Sequence, residues 1–173
     1  MTDIVVPPPA PPIIAFVAEL VECVCELLTT DGQGPTCWCG VLAGDAAPMD
    51  ACDSCDNDAC GMGFVRMGTA FPYSIFPTPV LDPGCVKPLA YALEVGVTRC
   101  WPTMDEDGTM PSPDEIANAA YGLAMDQMAL HRAIRCCQGE ATIATWNTVG
   151  PIGNCIMGSW TVYVDPVFDS RRR

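Results

Sequence analysis

Histidine, lysine and arginine are scarce in this sequence, and their scarcity limits the functions open to it. One histidine, His131, and eight basic residues stand against 21 acidic ones, which gives 173 residues a net charge of −13. Binding a nucleic acid needs a positive surface that neutralises phosphates, so this composition disfavours that function. A negative wall beside a passing duplex is a different case, because it repels DNA and lets it slide.

Motifs for nucleotide binding and nucleophilic catalysis are also missing. The sequence has no P-loop, no dinucleotide fingerprint, and no G-x-S-x-G motif near His131. The acidic segments Asp50 to Asp58 and Asp105 to Asp107 lack the ligand spacing of a calcium-binding loop, so we interpret them as solvated loops. We therefore predict that the protein is not an enzyme and needs no cofactor, and that His131 is structural.

No apolar run is both long and free of charge. Residues 13–28 form the most apolar segment, but Glu19, Glu22 and Glu26 interrupt it, and the residues before it carry Asp3 and no basic residue. A membrane helix lacks such charges, and a signal peptide begins with basic residues. The sequence thus predicts a soluble protein that has no membrane partner and is made in the cytoplasm.

Cysteine, in contrast, is abundant, with twelve residues. In a reducing cytoplasm we expect most of them to be thiols packed as small apolar side chains, with crosslinks forming only if the protein later reaches an oxidising environment. A zinc site is the alternative, because two short cysteine pairs separated by a dozen residues can supply four soft ligands. The zinc candidates are Cys37, Cys39, Cys52, Cys55 and Cys60.

Two helices are predicted from periodicity and capping. Apolar residues recur at helical spacing over residues 13–28 and again after Pro113. Ser112 and Glu115 form a capping-box pattern at the start of the second helix, where Pro113 occupies the first helical position. The apolar stripe predicted for this helix consists of Ile116, Ala120, Leu123, Leu130, Ile134 and Cys137.

Short apolar or alternating segments predict the strands. They are Thr36–Leu42, Met62–Phe71, Leu89–Trp101 and Gly158–Val164. The prolines of residues 71–84 predict a long loop there, because proline cannot donate to a strand ladder. This order predicts an α+β fold, a mainly antiparallel sheet with two helices packed on one face.

We assign this fold to one domain, residues 13–166, with a segment at each end. Residues 1–12 include VVPPPAPP, which predicts an extended arm, with a disordered leader as the alternative. Residues 167–173 form a tail whose arginines either pair with an acidic neighbour or stay solvated. The predicted interface residues are Pro7, Pro8, Pro9, Phe71, Tyr73, Phe76, Arg171, Arg172 and Arg173.

Three segments together resemble a known family. They are MDACDSCDNDACGMGFVRMGTAFPYSIFP at 49–77, YALEVGVTRCWP at 91–102 with the capped helix that follows, and GPIGNCIMGSWTVYV at 150–164. In this order they resemble the head-to-tail connection proteins of phages of actinobacteria, in particular the tail terminators. The segments cover about half of the chain and contain no active-site motif, so they indicate kinship more than role.

The resemblance implies a structural subunit of the phage neck. Tail terminators have a sheet with flanking helices and assemble as a hexameric ring that caps the tail tube and receives the head connector. The implied partners are further copies of the chain, the tail tube protein and a stopper or adaptor, with DNA passing through the lumen unbound. The implied location is the virion, after assembly in the host cytoplasm.

Other functions remain as alternatives. Within the same class, the chain is a stopper or adaptor of the neck, which differs from a terminator in the ring that it contacts. In other classes, it is a small zinc-binding interaction module, which needs a metallated cysteine cluster, or a hydrolase, which needs a cleft with perturbed titrating groups.

Overall fold

Two helices lie on one face of a β-sheet. The computed structural model describes residues 12–44, 46–47, 49, 52, 55, 59–81, 88–105, 107–138 and 141–165, with the side chains of 137 and 138 excepted. Its elements are α1 (Pro12–Thr30), β1 (Trp38–Leu42), β2 (Met62–Ile75), β3 (Thr78–Pro79), β4 (Leu89–Cys100), α2 (Pro113–Gln138), β5 (Thr142–Ile152) and β6 (Cys155–Val164).

The described strands form a six-stranded, mainly antiparallel sheet. The order is β1-β2-β4-β6-β5, with β3 paired to β2, and only the β1–β2 pair is parallel. Helix α1 contacts β1 and β2, while α2 contacts β4 and β6. The predicted α+β fold with a mainly antiparallel sheet and two helices on one face is confirmed.

The main core lies between the helices and the sheet. Each helix contributes one apolar stripe, as the 3.6-residue period requires, and each central strand contributes alternate residues. The fully buried members are Leu20, Val24, Leu28, Val65, Leu93, Val95, Val97, Leu130, Ala133, Ile134 and Val162. A smaller cluster of Ala47, Met62, Phe64 and Met157 covers part of the opposite face of the sheet.

The capping box at the start of α2 forms as predicted. The Ser112 amide donates to Glu115 Oε2 (2.7 Å), and the Glu115 amide donates to Ser112 Oγ (3.3 Å). These bonds favour the charged carboxylate, so the amide and hydroxyl of Ser112 lower the pKa of Glu115.

The predicted apolar stripe of α2 is wrong at its N-terminal end. Ile116 and Ala120 are exposed, although Leu123, Leu130 and Ile134 are buried. The turn after α1 packs close to α2 from Gly122 onward, where Gln33 lies beside that glycine. The first two turns of α2 therefore extend beyond the end of α1, and no helix in the described part of the chain covers them.

Strand β5 was not predicted by the sequence pattern. It forms a hairpin with β6 through a two-residue turn at Gly153 and Asn154, in which Gly153 adopts a positive φ of 60°. Most of the β5 side chains are exposed, because β5 is an edge strand that neither helix contacts closely. Such a strand lacks the apolar alternation by which half-buried strands are recognised.

The proline-rich segment is also more regular than predicted. Strand β2 continues to Ile75 and pairs with β4 as far as Pro72, and β3 then folds back onto β2. Proline lacks the N–H that a strand residue donates, but it keeps its carbonyl. Pro72 is tolerated because this carbonyl accepts the Val80 amide (2.9 Å). The prediction of one long loop is therefore wrong for residues 71–75 and 78–79.

A buried ion pair joins the sheet to α2. Arg99 is 4% exposed and Asp126 0% exposed, and two bonds link them, from Nε to Oδ2 (2.8 Å) and from the terminal nitrogen to Oδ1 (2.9 Å). Arg99 also donates to the carbonyls of Gly34 (2.8 Å), Pro35 (3.1 Å) and Cys60 (3.4 Å). Asp126 accepts the Gln33 amide as well (2.8 Å). Both charges are therefore satisfied, as burial demands.

We expect Asp126→Ala to destabilise the protein by about 3–5 kcal/mol, because it leaves the Arg99 guanidinium buried without a counter-charge. Urea unfolding of the two proteins measures the difference in the free energy of unfolding. The control is Arg132→Ala, which removes a pair with Asp31 whose arginine side chain is 61% exposed; it should cost no more than about 1 kcal/mol. Equal losses in the two variants would contradict the role given to the buried pair.

Candidate functional site

Disulfides join most of the described cysteines. The pairs are Cys25–Cys39, Cys37–Cys55, Cys52–Cys155 and Cys60–Cys100, and Cys23 is also disulfide-bonded. Cys136 is a free, exposed thiol. The expectation that most cysteines remain packed thiols is therefore wrong for the described residues. Their Cα atoms lie 5.4–5.8 Å apart within the four pairs, which is the spacing that a disulfide requires.

The five zinc candidates are distributed over these four disulfides. Cys37 and Cys55 bond to each other, whereas Cys39, Cys52 and Cys60 bond to cysteines in α1, β6 and β4. Zinc binds thiolates, and a sulfur in a disulfide is not one. Within the described part of the chain, no group of three or more histidine, cysteine or acidic residues could hold a metal ion. The cysteine spacing that suggested a zinc site therefore belongs to residues that form disulfides.

The predicted aromatic interface residues are largely turned inward. Tyr73 is buried, its hydroxyl donates to Asp165, and its ring packs edge-on against Phe76 at 5.6 Å between centroids. Phe71 packs in the same way against Tyr163 at 6.0 Å. Burial and the neighbouring carboxylate of Asp165 raise the pKa of Tyr73 from 10.0 to about 12.

Apolar side chains on the same segment are exposed instead. Ile75, at the end of β2, is largely exposed, and Leu81 is fully exposed. Simple alternation would place Ile75 on the same side as Tyr73. The β2–β3 pairing shifts its register between these two residues, and such an irregularity redirects a side chain. The predicted contribution of Pro7, Pro8, Pro9, Arg171, Arg172 and Arg173 lies outside the described residues.

An open groove of about 800 Å³ runs beside α2, and we name it the α2 groove. It is lined by Asp31, Gln127, Met128, Ala129, His131, Arg132, Arg135, Cys136 and Trp160. Arg132 forms an ion pair with Asp31 at one side of the groove. The Trp160 indole N–H donates to the Gln127 carbonyl (3.1 Å), which fixes the ring against the helix.

Three aromatic rings form a row, of which His131 and Trp160 line the α2 groove. The ring centroids of His131 and Trp146 each lie 5.5 Å from that of Trp160, and both contacts are tilted. Gly158 makes this row possible, because a Cβ there would collide with the Trp146 indole. The His131 ring packs against Trp160, and the free thiol of Cys136 lines the same groove.

Exposed apolar side chains continue from the groove along α2. Tyr121, Met125 and Met128 are 69%, 49% and 74% exposed, and their spacing of four and three residues places them on one side of the helix. We name these three residues the α2 stripe. A row of large apolar side chains in water is unfavourable unless another surface covers it.

A polar site lies on the opposite face of the sheet. Arg66 forms an ion pair with Glu94 across the β2–β4 pairing, and Glu94 also accepts the Ser159 hydroxyl (2.6 Å). Arg66 and Glu94 line a pocket of about 580 Å³ that also includes Asn147 and Thr161. Every polar group of the triad has a protein partner, so the site supports the sheet and offers no evident reactive group.

Peptide mapping without reduction should recover the four disulfides. In a chain-entropy view, a crosslink stabilises more when it closes a longer loop. The sequence separations are 103 residues for Cys52–Cys155 and 18 for Cys37–Cys55. Replacing the first pair by alanine should therefore cost about 1.5 kcal/mol more than replacing the second. Recovery of different pairings, or of free thiols in protein purified under oxidising conditions, would contradict this arrangement.

The folded protein should keep Tyr73 protonated to a pH near 12. A tyrosine in the unfolded chain ionises near pH 10, so the unfolded state loses this proton first and stability falls as the pH rises from about 10 to about 12. Below pH 10 the contribution is fully present. Tyr73→Phe should remove this part of the alkaline decline, as measured by urea unfolding across that range. An identical decline in both proteins would contradict the assignment.

Comparison with known proteins adds no relative to the geometry described above. A scan against family models and a search of curated proteins each found no match. None of the described helices is long and apolar enough to cross a membrane. The function must therefore be argued from the surfaces themselves and from the resemblance noted in the sequence.

Proposed function

We propose that the chain is a structural, non-enzymatic subunit of the head-to-tail junction of a tailed phage, where it forms a ring of the tail terminator type. The observation that carries the proposal is the α2 stripe. It is a row of large apolar side chains that no other part of the described structure buries, and a protein partner would cover it. The proposed partner is a neighbouring copy of the same chain.

The α2 stripe fits a subunit interface better than a ligand site. Tyr121 and Met125 line neither the α2 groove nor the pocket beside Glu94, while Met128 lies at the end of the stripe and also lines the α2 groove. Methionine and tyrosine are enriched at protein interfaces, where methionine adapts its shape to the opposing surface.

The two outer strands supply a geometry that suits a ring. Among the described residues, β1 and β5 stand at opposite edges of the sheet with no further strand beyond them. A ring needs two different surfaces on each subunit, one that meets the preceding copy and one that meets the next. The two edges differ in length and direction, so a contact that joined one edge to the other would be heterologous, as a ring requires.

The acidic outer face of α1 supplies a surface for a DNA channel. Glu19, Glu22 and Glu26 are exposed and recur along this helix, opposite its buried stripe. A negative wall repels the phosphate backbone and so permits a duplex to pass without binding. In the proposed ring, this face of α1 borders the lumen and the α2 stripe meets a neighbouring copy.

The segments that carry the resemblance lie together in the fold. Residues 62–75, 91–100 and 155–164 form most of β2, β4 and β6, which are adjacent strands at the centre of the sheet. The segments that resemble the phage family are thus neighbours in one sheet and not scattered turns. It gives the proposal its phage context, whereas the α2 stripe supports assembly in general.

The disulfides are compatible with a virion component. Crosslinks are rare in proteins that stay in a reducing cytoplasm and common in proteins that work outside the cell. A particle released by lysis enters an oxidising environment, in which the cysteine pairs can close. A stopper or adaptor of the neck has the same chemistry, so it remains the second candidate, while the crosslinked cysteines give the zinc module no support.

The test is to identify the chain in mature particles and to count its copies. We expect native mass spectrometry of the isolated protein, or imaging of the neck, to show a ring of six copies; twelve copies would favour the adaptor. A phage lacking this gene should be complemented by the normal chain and not by the variant Tyr121→Glu with Met125→Glu, because buried carboxylates would oppose the contact.

The matched control changes two exposed methionines elsewhere. Met104→Glu with Met110→Glu introduces the same charge on the segment before α2, outside the α2 stripe. This control should complement. Absence of the chain from mature particles would reject the proposed function, and equal complementation by both variants would reject the α2 stripe as its interface.

A further inference from the structure

We infer that the α2 groove binds the proline-rich arm, residues 5–11, of a second copy of the chain. This inference shares with the proposed function the premise that copies associate, and the two surfaces have Met128 in common. The α2 stripe is the proposed contact between folded bodies. The α2 groove is the proposed site for one segment of the chain.

The aromatic wall of the α2 groove has the chemistry that proline-rich segments require. Grooves that bind polyproline helices are lined by aromatic rings, against which the flat, rigid proline rings pack. Trp160 and His131 supply such rings in the α2 groove, and Trp146 supports Trp160 from behind. The Met128 side chain adds an adaptable apolar surface at the rim.

The groove also offers hydrogen-bond donors. A polyproline helix has no internal hydrogen bonds, so its carbonyl oxygens must accept bonds from solvent or from the receptor. Arg132 and Arg135 line the α2 groove beside the aromatic wall, and both are exposed. Each guanidinium carries several N–H donors, more than its ion pairing needs, so the groove can serve successive carbonyls of the arm.

The composition of the arm matches the groove. Residues 5–12 read VVPPPAPP, which is strongly predisposed to a polyproline helix and so loses little entropy on binding. The only charged side chain in residues 1–11 is that of Asp3. In a chain with a net charge of −13, the positive patch formed by Arg132 and Arg135 is uncommon. The negative charge of Asp3, at the start of the arm, complements this patch.

The arm is long enough to reach a neighbour. Eleven residues precede α1 in this sequence. In the polyproline conformation they span about 34 Å, on the order of the diameter of a domain of this size. An arm of this reach would couple neighbouring copies even where the contact between folded bodies is small, because tethering raises the local concentration of the arm.

Photo-crosslinking of the full chain tests the inference directly. A benzophenone amino acid replaces Val6, and the labelled chain is mixed with an isotopically heavy chain that lacks the label. After irradiation, mass spectrometry identifies which peptides are joined and whether the two belong to different copies. We expect crosslinks from residue 6 of the light chain to residues 127–136 or to Trp160 of the heavy chain.

Charge and shape variants of the heavy chain give the quantitative test. Met128→Glu should lower the yield of these crosslinks about tenfold, which corresponds to about 1.4 kcal/mol. Met110→Glu is the matched control, because Met110 is also exposed (71%) but lies outside the α2 groove, and it should leave the yield unchanged. Arg135→Glu should lower the yield, and Asp3→Arg in the light chain should restore it.

The outcomes separate this inference from the proposed function. Crosslinks confined to one chain would show that the arm binds in its own groove and would overturn the inference, as would crosslinks that avoid the α2 groove or that Met128→Glu does not reduce. A chain missing from virions that still gives the expected crosslinks would reject the neck assignment alone. A virion component whose arm crosslinks elsewhere would reject only the arm and groove.

Discussion

The ion pair between Arg99 and Asp126 fixes the position of α2 on the sheet, and both candidate surfaces depend on that position. Arg99 belongs to β4, Asp126 to α2, and the carbonyls that Arg99 also binds belong to the turn after α1 and to the segment before β2. One guanidinium thus joins four parts of the chain in the interior.

Apolar core packing alone allows a helix to slide along a sheet. A bidentate buried ion pair specifies one position of the helix on the sheet, because any shift leaves a charge unpaired. The row from His131 to Trp146 can form only in that register.

The sequence predicted the elements whose signals are local. The capping box of Ser112 and Glu115 and the stripe of α1 are short-range patterns, and both are present in the structure. The edge strand β5 was missed because neither of its faces is buried, so no alternation of apolar and polar residues marks it.

The buried ion pair left a sequence pattern that was overlooked. Arg99 follows Val95 and Val97 on the inward side of β4, and Asp126 lies three residues after Leu123 on the stripe of α2. A charge at each of two inward positions predicts that the two meet.

The candidate sites were harder to predict, because they depend on which side of a helix or strand packs against the rest of the fold. Tyr73 was proposed for an interface as an aromatic in a proline-rich segment, yet its hydroxyl meets Asp165 in the interior. The α2 groove combines residues of α2 and β6 with the turn after α1, which no local pattern brings together. The cysteines show the same limit. The sequence analysis expected mostly packed thiols, with a zinc site as the alternative, and the pairing of twelve cysteines has too many solutions for spacing to select one.

The disulfides depend on redox state and the other stabilising interactions do not, and this difference bears on assembly. Core packing and the Arg99–Asp126 pair do not depend on redox state, so they can hold the fold in a reducing cytoplasm. The disulfides cannot form there, and they add stability only after oxidation. Cys52–Cys155 and Cys60–Cys100 tie the cysteine-rich segment to β6 and β4, and none of the four described pairs includes a residue of α2. In the proposed ring, oxidation of these pairs would therefore stiffen each subunit outside the helix by which it meets its neighbour, so assembly and crosslinking can occur in that order.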